Sequence, residues 1–119
     1  MSAGFPSPAQ DYLDGKLDLN TYLIEHPAAT FFMRMSGDAM IDAGIFDNDL
    51  LIVDRSIEPQ NNSIIIAVLN GELTVKRIVK TKQTIYIENR LKEKSIKITQ
   101  DIDFSIWGVV TKVIHELHK

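Results

Sequence analysis

Ser36-Gly37-Asp38-Ala39-Met40 follows a run of strand-forming residues and precedes Ile41-Asp42-Ala43-Gly44. A glycine directly after a strand lets the backbone turn sharply, and such a turn can aim successive N–H groups at one point, as an oxyanion hole requires. Ser-Gly-Asp is equally a common turn composition, so a simple strand-ending turn satisfies the same residues. Lys76 is the second residue with chemical potential, set in Leu73-Thr74-Val75-Lys76-Arg77-Ile78-Val79. A lysine serves as a general base only when neutral, which requires loss of water and apolar surroundings that push its pKa down. This run supplies apolar neighbours, and alternation puts Thr74 and Ile78 on the face of Lys76. Taken alone, a lysine on a strand is more often a solvated edge charge. Arg77 cannot deprotonate and is expected on the surface.

The remaining polar candidates carry less. His26, His115 and His118 lack a recognisable hydrolase context and receive no role. Asp38, Asp42, Asp47, Asp49 and Asp54 are close in sequence, yet the glycine and closing glutamate of a calcium loop are missing at the required spacing. Turn and strand-end positions account for them better. Trp107 and Phe104 have only thin basic interleaving, which favours core or interface packing over base stacking. No cofactor is expected.

The elements that must position these residues belong to one ordinary globular chain. Its 119 residues are 45% hydrophobic and 24% charged, enough for a core without metal or disulfide support. There is no cysteine, which removes disulfide frameworks and thiolate metal sites and makes the cytoplasm the default location. A net charge of −3 gives no basic field for phosphates, so strong direct nucleic-acid binding is not expected. The start, Met-Ser-Ala-Gly-Phe-Pro, lacks the layout of a signal peptide, and no apolar run approaches the roughly 20 residues of a membrane span.

Pro6 and Pro8 among small residues predict an extended arm over residues 1–11, leaving 12–119 as the folded domain. One short helix is expected after an Asp18 cap, ending before Pro27. Beyond it come short β-branched and aromatic runs: Thr30 to Met35, Asp49 to Asp54, Ser63 to Leu69, Glu72 to Lys80, Gln83 to Glu88, Ser95 to Thr99 and Phe104 to Leu117. Asn70-Gly71 is a strong hairpin signal, since a type I′ turn needs positive φ at both central residues. Ile64-Ile65-Ile66 and Ile106-Trp107 with Val109-Val110 do not alternate cleanly and predict strands buried on both faces or against a partner. The fold class is mainly β: a small, partly closed sheet system with one short helix.

The combination of Ser36-Gly-Asp-Ala-Met-Ile-Asp-Ala-Gly44, Asp49-Leu-Leu-Ile-Val-Asp54 and Gly71-Glu-Leu-Thr-Val-Lys-Arg77 closely resembles the LexA/UmuD family of self-cleaving Ser/Lys peptidases. The likeness runs from Ala3 to about Lys112 and includes His26-Pro-Ala-Ala-Thr30 and Trp107-Gly-Val-Val110. It implies a LexA-like C-terminal peptidase fold. In that family the first segment reads Ser-Gly-x-Ser-Met with the second serine as nucleophile, and here that position is Ala39. Lys76 matches the general base, the backbone N–H groups of Asp38 and Ala39 match the oxyanion hole, and Ala3-Gly4 matches the self-cleavage bond. The resemblance therefore implies a centre that keeps its shape and has lost its nucleophile.

The start Ala3-Gly-Phe-Pro-Ser-Pro8 and the absence of a DNA-binding segment point to the UmuD type rather than to a LexA-like repressor fragment. The resemblance then implies an SOS-response mutagenesis subunit: a homodimer whose arm is cut when RecA–DNA filaments stimulate it, and which afterwards joins a UmuC-type error-prone DNA polymerase. A small oligonucleotide-binding β-barrel would use similar strands, but the acidic balance and the context of Lys76 argue against it. For the dimer, Ile106 to Leu117 is the expected interface, because its apolar residues on both faces would make an uncovered edge strand a hazard.

Overall fold

Asp18 caps the helix α1 (Leu19–Leu23) through its side chain, which accepts from the backbone N–H groups of Asn20 at 3.0 Å and Thr21 at 3.5 Å. That contact satisfies donors a helix start otherwise leaves open. The computed structural model describes residues 18–89 and 95–118. The expected arm, with Ala3 and Gly4, lies outside the described residues. Pro27 opens a 3₁₀ turn, Pro27–Ala29, that runs straight into the first strand.

Seven strands follow: β1 (Thr30–Arg34), β2 (Leu50–Asp54), β3 (Ile64–Leu69), β4 (Glu72–Lys80), β5 (Ile85–Glu88), β6 (Ser95–Lys97) and β7 (Phe104–Ile114). They form one antiparallel sheet in the order β1-β2-β7-β3-β4-β5-β6. β1 and β6 do not pair, so the sheet stays unclosed. The β3–β4 hairpin is the one Asn70-Gly71 announces, with φ of 51° and 83° at those residues and Leu69 paired to Glu72. Both values lie where a type I′ turn needs them.

Each face of the sheet carries its own apolar cluster. Met35, Met40, Ile45, Leu51, Val53 and Ile66 form one. Ile65, Ala67, Ile78, Ile87 and Val109 form the other. Burying each Leu, Ile, Val or Met side chain contributes about 1.5–3 kcal/mol. The unbroken Ile64-Ile65-Ile66 run follows from this arrangement, because Ile65 and Ile66 feed opposite clusters.

β7 corrects the expectation of an edge strand. It lies inside the sheet, paired to β2 through Val109–Ile114 and to β3 through Phe104–Val109. Its two apolar faces are both occupied by its own domain: Trp107, Val110 and Val113 pack on the first cluster, and Phe104, Ile106 and Val109 on the second. Strict alternation misassigns these faces because the strand is bulged twice. Ile66 pairs with Gly108 and Ala67 with Ile106, which skips Trp107; Ile52 pairs with Lys112 and Val53 with Val110, which skips Thr111. Each extra residue shifts the side-chain phase by one. Gly108 is required at the first bulge, since a Cβ there would sit 2.6 Å from the Val53 Cγ1.

Candidate active site

The segment between β1 and β2 is tied at its base and plugged into the core in its middle. Met35 N–H donates to the Asp49 carbonyl at 2.8 Å, and Asn48 N–H donates to the Met35 carbonyl at 2.8 Å. Within the loop, Gly37 N–H donates to Asp47 Oδ1 at 2.7 Å, and Ile45 N–H to the Met40 carbonyl at 3.1 Å. Met40 is fully buried and Ile45 nearly so. Position 39 is therefore held on one side by a turn, where the Asp38 carbonyl accepts from Ile41 N–H at 3.3 Å, and on the other by a core side chain.

Ala39 lines a groove of about 470 Å³ together with Met33, Leu51, Ile66, Thr74 and Val75. The groove thus lies mainly on the face of the first cluster and reaches β4 through Leu73, Thr74 and Val75. β4 pairs with β3 over Glu72–Arg77 and with β5 over Arg77–Lys80. Among the described residues no strand pairs with the backbone of 72–75 on the side away from β3. An extended peptide can add to such an edge through main-chain hydrogen bonds.

Lys76 is half-buried opposite Ile65, and its Nζ donates to Asn89 Oδ1. It is not among the groove-lining residues, while its same-face neighbour Thr74 is. The fold thus sets position 39 against the β4 segment that leads into Lys76.

Two residues given no role turn out to be anchored. His115 Nδ1 lies 2.5 Å from Asp49 Oδ1, and His26 Nδ1 lies 2.5 Å from Asp54 Oδ2. A carboxylate only accepts, so each Nδ1 carries the proton. Asp49 and Asp54 are 2% and 4% exposed and bracket β2, consistent with strand-end roles. Burial pushes the Asp54 carboxyl up, but hydrogen bonds from Ser56 and His26 outweigh it and hold the group at about 2. The same contact with Asp54, helped by its charge, raises the His26 pKa. Arg77 also departs from expectation: its side chain is 16% exposed, with Nε 4.0 Å from Glu88 Oε1, because β5 covers it.

The class of the protein follows from comparison of its sequence with known proteins. Residues 1–111 match the Peptidase S24-like family, and the chain belongs to that family. Protein ImpA of Escherichia coli is 47% identical over 113 residues, which cover 95% of this chain and 77% of that protein. Protein MucA of Salmonella typhimurium is 41% identical over 117 residues, covering 98% of this chain and 80% of the relative. The LexA repressor of Colwellia psychrerythraea is 33% identical over 118 residues, covering 96% of this chain but 54% of the repressor.

Proposed function

We propose that this chain is a UmuD-type SOS mutagenesis subunit in which Ala39 occupies the nucleophile position and Lys76 is the general base. The observation that carries this reading is the placement of Ala39 in one groove with Leu73, Thr74 and Val75, the residues of β4 that lead into Lys76. In this reading the Ala3-Gly4 bond is brought to position 39.

With serine at 39, neutral Lys76 takes the hydroxyl proton as Oγ attacks the Ala3 carbonyl carbon. The N–H groups of Asp38 and Ala39 receive the oxyanion. Collapse expels the Gly4 amine, which takes the proton from Lys76, and water then hydrolyses the acyl ester. The Ala39 methyl has no lone pair, so this chain does not cut. RecA–DNA filaments stimulate the reaction by bringing the arm to the groove. The product acts by binding, as a cytoplasmic homodimer that joins a UmuC-type polymerase. Its dimer contact does not use β7 as a free edge.

Mass spectrometry after long incubation near pH 10 tests the assignment. Alkali neutralises the lysine, so Ala39→Ser is expected to yield a product beginning at Gly4, with a longer-armed copy supplied in trans if the arm is too short. The unaltered chain is expected to stay intact. Cleavage of the unaltered chain overturns the role of position 39, and equal cleavage by Ala39→Ser with and without Lys76→Ala overturns that of Lys76.

A further inference from the structure

We infer that Asn89 is a positioning residue for Lys76, holding its Nζ with an acceptor that carries no charge. This rests on the proposed role of Lys76 as the base. The contact, Lys76 Nζ donating to Asn89 Oδ1, lies one residue beyond the end of the β4–β5 ladder. The β4–β5 register ends at Arg77 opposite Glu88, and one further step sets Asn89 across from Lys76 on the same face.

The chemistry of the acceptor matters. A general base must alternate between ammonium and amine, and an amide oxygen accepts from both forms. A carboxylate at the same place would favour the ammonium and keep the base protonated at neutral pH. Asn89 thereby directs Nζ without adding a charge that opposes its task.

Among the described residues the strands beside Lys76 are mostly apolar on its face. On the face of Lys76, its own strand offers Thr74 and Ile78, β3 offers Ile65, and β5 offers Ile87. No ionisable residue lies in β3. On the other face of β4 and β5, Arg77 and Glu88 oppose each other with opposite charges. The site loop adds Asp38 beside Ala39. A strand-ending asparagine is also an ordinary turn residue, so the test must read the lysine itself.

Two measurements do so. In the Ala39 chain, which needs no cleavage, the Lys76 titration is followed by the ¹³Cε shift of labelled lysine, assigned by loss of the signal in Lys76→Arg. Asn89→Asp is expected to raise its midpoint by about one unit or more. In the Ala39→Ser background the rising limb of the cleavage pH profile is expected to move up by the same amount, with a high-pH plateau within about threefold of the parent. Asn89→Ser, too short to reach Nζ, is expected to lower the plateau about tenfold without the upward shift, and it carries the test if circular dichroism shows Asn89→Asp unfolded. A Lys76 midpoint unmoved by Asn89→Asp overturns the inference, as does a plateau unchanged in Asn89→Ser. A moved midpoint with no cleavage by Ala39→Ser, even of a longer-armed copy supplied in trans, upholds the contact and sinks the proposed self-cleavage chemistry instead.

Discussion

The His115 imidazole clasps the buried Asp49 carboxylate, Nδ1 to Oδ1 at 2.5 Å, and so fastens the end of β7 to the end of the loop that carries position 39. The other oxygen of Asp49 accepts from Phe46 N–H at 2.8 Å, and the Phe46 ring lies against His115 with centroids 5.0 Å apart. Asp49→Ala leaves the Phe46 donor unsatisfied and releases the loop. A loss of about 1–3 kcal/mol is expected, read from urea unfolding. A wild-type midpoint would show the clasp to be idle.

The His26–Asp54 pair makes a pH prediction with a defined sign. Asp54 is held at about 2 against an ordinary 3.8, so its contribution is present above 3.8 and is lost as pH falls through about 2. His26 is raised above 6.5, so its contribution is full below 6.5 and is lost as pH rises through the raised value. The melting temperature is expected to favour the interval between 3.8 and 6.5, and His26→Gln to flatten the loss on the alkaline side. An alkaline limb identical in His26→Gln would assign that loss to other groups.

Val113→Asp puts a carboxylate on the half-buried face of β7 that packs on the first cluster, opposite Leu51. It is expected to destabilise the domain by about 2–3 kcal/mol, seen as a lower thermal midpoint in circular dichroism. An unchanged midpoint accompanied by dissociation in sedimentation velocity would return β7 to an intermolecular role.

Gly108→Ala forces a methyl to 2.6 Å from the Val53 Cγ1. Overpacking of this kind costs roughly 1–3 kcal/mol. The offending atom belongs to a side chain, so adding Val53→Ala is expected to relieve the clash while opening space in the core. Double-mutant unfolding measures the coupling, and strict additivity would place the strain elsewhere.

The chain announces what depends on neighbours in sequence. The Asp18 cap, the stop at Pro27, the Asn70-Gly71 hairpin and the strand runs all follow from local backbone preferences, and the motif around Ala39 and the strand of Lys76 follow from residue type and spacing. Sheet order is a different kind of fact, because it depends on which strands meet across long loops. A strand apolar on both faces is equally suited to a partner's cover or to its own domain's, and only the pairing with β2 and β3 places β7 inside. The bulges at Trp107 and Thr111 belong to the fit between strands, so alternation along the chain cannot reveal them. The same holds for His26 with Asp54, His115 with Asp49 and Lys76 with Asn89, pairs that the tertiary structure brings together from residues carrying no local signature of one another.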